Sequence, residues 1–311
     1  MKPFLPALFL YLFAFLGGAA QASVLDTTLF PVDDRMIPAI GFWKKVFTQY
    51  DSEKTLLHDR EHLDCIWEVV EHLRSPDGEV DSAATKELIE SKKTALAERF
   101  QRLARDPAPL DNRDREIMAI AHRQPNGFLL KAGQRIRGQR GIADRFEKGL
   151  KTAVRLLPTI EPILMKRGVP KELAALPLIE STYNTKARSS SGAAGIWQLM
   201  PATAKQYGVK VSRKKDERYQ IKKATEGASK ILAHNFRLLK SWPLAITGYN
   251  HGPYGMMRAV KKVGSRKLID IIDRYQKRTW GFASKNFYIE FIAAVEILNE
   301  YKKTGRLPNS M

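Results

Sequence analysis

Cysteine is almost missing from this chain: Cys65 is the only one in 311 residues. That excludes an intramolecular disulfide framework, and Cys65 stands too far from the N-terminus to carry a lipid anchor there. A buried structural thiol is the expectation. Long apolar runs are missing too, because nothing after residue 22 is long enough to span a bilayer. Acidic residues are scarce, 33 against 52 Lys and Arg, for a formal charge of +19. Such an excess points to an anionic polymer or surface as partner. From Ser181 to Lys215 there is no Asp or Glu at all. Internal repeats and low-complexity tails are likewise absent from the sequence.

What is present begins with MKPFLPALFLYLFAFLGGAAQAS, which has a basic Lys2, an apolar core and the small-x-small Ala20-Gln21-Ala22. This reads as a secretory signal peptide over residues 1–22, with cleavage after Ala22. An exported protein rarely meets nucleic acid, so the charge directs attention to a cell wall or envelope. The expected location is periplasmic or exported, with no integral membrane segment after cleavage.

Aliphatic and aromatic residues make up 44% and recur at helical spacing. The expected fold is all-α. A mainly helical accessory region over 23–135 holds a helix at 37–50, an ambiguous segment CIWEVVEHL at 65–73, a long charged helix at 81–106 and another near 113–123. The glycine-rich KAGQRIRGQRG interrupts it. A second, helical domain over 136–311 follows, its helices set off by Pro158, Gly168, Pro170, Pro201, Gly208 and Pro243. No strand signal appears after residue 142, and Phe287, Phe291, Ala294, Val295 and Leu298 trace the apolar face of the last helix.

Glu180 ends the run AALPLIE, and Leu173, Leu176 and Glu180 share one stripe of a continuous helix. Desolvation would raise its pKa, as a general acid at neutral pH requires. Pro177 leaves open a kink that turns Glu180 elsewhere, and a solvated helix end is the plain alternative. Downstream lie the small-residue stretch NTKARSSSGAAG, then IWQLMP, then TGYNHGPYG.

Taken together, Glu180-Ser181, Gly195-Ile196-Trp197-Gln198-Leu199-Met200-Pro201 and Tyr249-Asn250-His251-Gly252 resemble the ordered motifs of lytic transglycosylases with a goose-type lysozyme-like (SLT) domain. ELAALPLIESTYN, GAAGIWQLMPATAKQYG, SWPLAITGYNHGP and GFASKNFYIEFIAAVEI are most similar to the membrane-bound lytic transglycosylase D group, over about residues 135–300. The resemblance implies a lysozyme-like fold and one acid/base, Glu180, that cleaves the MurNAc-β-1,4-GlcNAc bond of peptidoglycan without water to leave a 1,6-anhydro end. It implies that Ser189 and Gln198 line the sugar site and that Met200 is an apolar wall. Tyr249 would stand beside the acid, Asn250 would contact substrate or brace its loop, and Tyr288 would lie near the cleft. Ser181 is expected to hold the helix end and Trp197 to pack in the core, while His251 receives no role. No cofactor is implied, and a monomer is expected. Unlike many members, this sequence has neither a lipidation cysteine nor appended wall-binding repeats, so the expectation is a soluble or peripheral protein.

Three rivals stand beside this reading. A lysozyme would hydrolyse the same bond and normally needs a second carboxylate, for which Asp216 and Glu226 are the nearest candidates. A silent wall-binding module would keep the fold alone. HDREH at 58–62 fits H-x-x-E-H, with His58 and His62 as zinc ligands and Glu61 as base, although it has no good helix start and no third ligand; no metal is expected.

Overall fold

The computed structural model describes residues 25–106 and 110–308; the expected signal peptide lies outside them. Among the described residues no helix is long and apolar enough to cross a membrane.

Helix α1 (Ile37–Thr48) leads into strands β1 (Lys54–Asp59) and β2 (Ile66–Glu71). Helices α2 (Ser82–Arg105), α3 (Asn112–Ala121) and α4 (Phe128–Ala132) follow, and then strand β3 (Ile136–Arg140). Asp81 caps α2, its carboxylate accepting from the amides of Ala83 and Ala84. The three strands form an antiparallel sheet in the order β2-β1-β3, with His58 opposite Arg137. The fold is mainly helical, as expected, and this sheet is the addition. The ambiguous 65–73 segment resolves as a strand, and the segment thought to be a glycine-rich interruption supplies the partner strand β3.

β1 is the central strand and buries nearly every residue. Successive side chains of a strand face opposite ways, so Leu56 enters one core and Leu57 another. The sheet is therefore a partition. On one side lies a satellite core of Leu57, Cys65, Trp67, Phe100 and Phe128 among others, with the Trp67 and Phe100 rings 4.7 Å apart. Cys65 is fully buried, and burial pushes its thiol up to about 12. On the other side lies the main core.

The main core is built from α5 (Ala143–Met165), α6 (Leu176–Ser181), α7 (Pro201–Gln206), α8 (Ile221–Leu239), α9 (Trp242–His251), α10 (Pro253–Val263), α11 (Leu268–Arg274) and α12 (Phe282–Thr304). Helix α5 runs through Pro158 and Pro162, where the sequence suggested a break. Both prolines stand on its exposed face, one turn apart. There a missing N–H and a slight bend are tolerated, because long helices curve convex toward solvent. The buried stripe Leu150, Ala153, Leu157, Ile160 and Leu164 stays continuous beneath them.

Part of the accessory region belongs to this core as well. Phe47 of α1 stacks on Phe146 of α5 at 4.5 Å, and the Trp43 indole donates to Asn286 of α12 at 3.1 Å. The segment before α1 is tied down by Tyr288, whose hydroxyl donates to the Pro31 carbonyl at 3.0 Å.

Gly149 lets α5 approach the chain that leaves α6. A Cβ at this position would stand 2.6 Å from the Thr182 carbonyl oxygen. Gly149→Ala should cost about 1–3 kcal/mol through overpacking and lower the unfolding temperature. An unchanged thermal transition would show that α5 and the Thr182 turn are free to separate.

Candidate active site

A 3-10 turn over Lys171–Ala175 precedes α6, so the helix bearing Glu180 starts afresh at Leu176. Pro177 falls in its first turn, where no backbone donor is needed. It therefore opens α6 rather than kinking it, and Glu180 reaches the last turn of a short helix whose other face is core.

The helix ends in strain. Thr182 and Tyr183 both adopt left-handed backbone angles, φ 49° and 54°, which cost non-glycine residues roughly 1–3 kcal/mol each. Three bonds hold them. The Tyr183 amide donates to the Pro177 carbonyl at 3.0 Å, the Tyr183 hydroxyl to Ala174 at 2.6 Å, and the Ser181 hydroxyl to Ile196 at 2.9 Å. Ser181 thus holds the helix end, as expected.

That last bond reaches the second motif. The loop from Ala194 to Leu199 closes on itself through paired backbone bonds. Gly195 has φ +73°, and a Cβ on it would overlap the Arg218 carbonyl oxygen. Arg218 pairs with Asp216 at 2.7 Å and donates to the carbonyls of Gly192 and Leu199 at 2.7 and 2.9 Å. Trp197 is fully buried, its indole donating to Thr225 at 2.9 Å, which agrees with core packing. The third motif joins through Tyr249, whose hydroxyl donates to the Trp197 carbonyl at 2.9 Å. The fourth joins through Ser284 of α12, which bonds the Asn250 amide oxygen at 3.2 Å and the His251 ring at 3.1 Å. Four segments distant in sequence become one hydrogen-bonded frame.

Glu180 sits in this frame without a hydrogen-bond or ion-pair partner among the described residues. It keeps some solvent contact, while the surrounding protein displaces enough water that burial pushes its carboxyl up to about 8. The Tyr249 phenol is held well above its usual value by burial and, secondly, by the Glu180 charge. Its hydroxyl is engaged by the Trp197 carbonyl rather than by Glu180.

The other expected residues divide. Gln198, at φ 45°, turns its amide back onto the Gly195 carbonyl at 2.9 Å. The Ser189 hydroxyl accepts from the Ala193 amide at 3.0 Å and shapes its own turn. Met200 and Asn250 are exposed beside the frame. Tyr288 is completely buried, with its hydroxyl donating to the Pro31 carbonyl.

Asp216 and Glu226 are occupied, by Arg218 and by Lys223 at 3.3 Å. One carboxyl outside the motifs, Glu290, stands on α12, which packs against α6. Burial first, and the Glu180 charge second, push Glu290 up to about 8, while Arg137 pulls it down. The sequence contains its signal: Glu290 interrupts the apolar run FYIEFIAAV, as Glu180 interrupts AALPLIES. The zinc alternative fails on geometry. His58 is in β1 with its ring 4.4 Å from Phe42, whereas His62 packs edge-on against Phe128 in the satellite core. Among the described residues no cluster of His, Cys, Asp and Glu is arranged to hold a metal ion.

Residues 158–272 match the family described as the transglycosylase SLT domain. Membrane-bound lytic murein transglycosylase D of Escherichia coli K12 is 32% identical over 152 residues, 47% of this chain and 32% of that protein, and its counterpart in Escherichia coli O6:H1 matches equally. The chain thus spans about a third of the length of these curated relatives. An X-ray structure of an inactive mutant of the lytic transglycosylase Slt from Pseudomonas aeruginosa is also similar, with 19% identity and a TM-score of 0.38, covering 51% of this chain and 25% of that one.

A carboxyl whose pKa rises on folding binds its proton more tightly in the folded state. Between the ordinary value of 4.5 and about 8 the folded protein therefore holds more protons than the unfolded one, and stability falls as pH rises across that window. Glu180→Gln should flatten this slope in urea titrations taken from pH 5 to 9. An unchanged slope would mean that Glu180 titrates normally.

Proposed function

We propose that this chain, whose residues 158–272 form a transglycosylase SLT domain, is a peptidoglycan lytic transglycosylase with Glu180 as its acid/base. The observation that carries the reading is the unpartnered, desolvated Glu180 carboxyl at the junction of the motif-bearing segments.

A carboxyl with a pKa near 8 is protonated at neutral pH and has no competing acceptor for its proton, which suits a general acid. Glu180 protonates the glycosidic oxygen between MurNAc and GlcNAc as the bond to C1 breaks. Now anionic, it takes the proton of the muramoyl 6-hydroxyl, whose oxygen closes on C1 to give the 1,6-anhydro ring. Proton and oxygen balance without water. Gln198, Met200, Tyr249 and Asn250 surround the sugars, and Ser189 shapes the loop beside them. The basic surface suits a wall polymer that bears carboxylates, and export through a cleaved signal peptide would bring the enzyme to it.

A second reading, a lysozyme that hydrolyses the same bond, is favoured by a further desolvated carboxyl, Glu290, on the helix that packs against α6, since hydrolases of this kind use a carboxylate pair.

Purified sacculi incubated with the native protein should release 1,6-anhydromuramoyl products, identified by mass. Glu180→Gln should lower the rate by about 10²-fold or more. Reducing-end products would select the lysozyme instead. Binding to sacculi without product release would leave a wall-binding module.

A further inference from the structure

His251 has no part in the proposed reaction, yet the structure gives its ring a fitted seat beside the site. It is the last residue of α9 and directly follows Asn250. Gly255 of α10 leaves the room for it: a Cβ there would stand 2.7 Å from the ring's Cδ2 and 2.9 Å from its Nε2. Buried Trp280 meets the ring edge to face, at 4.9 Å and 90°. The ring bonds the Ser284 hydroxyl through Nδ1 at 3.1 Å, and that hydroxyl donates to the Asn250 Oδ1 at 3.2 Å. Ser284 lies in the first turn of α12 and is itself buried.

Counting protons fixes the direction of this chain of bonds. A hydroxyl has one proton to give. Ser284 gives it to Asn250, so the bond between His251 and Ser284 has to use a proton on Nδ1. Burial first, and then Arg258 and Lys277, hold the His251 pKa below its ordinary value. The ring is therefore neutral at neutral pH, and Nδ1–H is its single N–H, set by the bond it makes. Asn250 has its oxygen engaged by Ser284, while the amide nitrogen of this exposed residue has no partner among the described residues.

We propose that His251 and Ser284 are positioning residues, which hold the Asn250 amide oxygen inward and so offer its N–H donors to an acceptor oxygen of the glycan. The inference rests on the glycan reading of the site, in which Asn250 touches the sugars. An unheld primary amide turns about its last bond and presents oxygen or nitrogen almost equally, since that torsion is broad and roughly two-fold. Held by Ser284, it presents donors alone, which suits the carbonyl and hydroxyl oxygens of an N-acetylated sugar and avoids ordering the amide on binding.

The first test reads the ring and needs no activity. ¹⁵N NMR of histidine-labelled full-length protein at neutral pH, with His251→Asn identifying the resonance, should show the Nδ1–H form of the neutral ring. Ser284→Ala removes the acceptor and should move the proton toward Nε2. A native ring in the Nε2–H form would overturn the proposal. The second test measures affinity for soluble glycan strands from amidase-treated sacculi, in the Glu180→Gln background so that nothing turns over. Asn250→Ala, Ser284→Ala and His251→Ala should each weaken binding about fivefold, the effect of one hydrogen bond. His251→Ala should add nothing to Asn250→Ala, whereas a merely structural loss would add to it. His251→Asn, whose amide nitrogen falls near the Nδ1 position, should keep most of the affinity. Gly255→Ala suits a helix but displaces the ring, and should reproduce His251→Ala. Native affinity in folded His251→Ala, or losses that add, would overturn the proposal; should that variant fail to fold, Gly255→Ala decides in its place. Strands that bind none of these proteins, Glu180→Gln alone included, would refute the glycan reading, while the Nδ1–H result would still support the hold on Asn250.

Discussion

Everything near the site depends on a carboxyl group that folding removes from water without giving it a partner. Protein interiors avoid this arrangement, since an unpaired charge there is costly and the group takes up a proton instead. For Glu180 that response is the useful outcome, because a neutral carboxylic acid at neutral pH is a proton source. The remaining architecture keeps Glu180 largely desolvated and away from any basic side chain that would pair with it. A chain with 52 Lys and Arg residues could easily have supplied such a side chain.

The constraint is met by backbone geometry more than by side-chain contacts. Helix α6 is six residues long and ends in two left-handed residues, so it could not hold its place alone. It is fixed from outside, by Ser181 on the Ile196 carbonyl and by α5 closing on Thr182 across Gly149. The Ala194–Leu199 loop is fixed in turn by Arg218 and by Tyr249. Apart from the close approach at Gly149, each of these ties is a side chain donating to a main-chain carbonyl. That choice fixes the loop path while leaving the Glu180 carboxyl without a partner.

The sequence was legible where chemistry is local. Helix boundaries marked by Asp81, Pro201 and Gly208 hold, and Glu180 could be singled out because one carboxylate ended an apolar run. It was misleading where the outcome depends on what packs against what. CIWEVVEHL has the residues of either element and became a strand only because β1 and β3 complete a sheet. Pro158 is a helix breaker by type, but it lies on the exposed face of a helix held together by its buried stripe. The Tyr288 hydroxyl finds its partner in the Pro31 carbonyl, more than 250 residues away in the chain, which no local pattern could reveal. Glu290 was overlooked for the opposite reason. It stood on the predicted apolar face of α12, and the reasoning applied to Glu180 fits it equally.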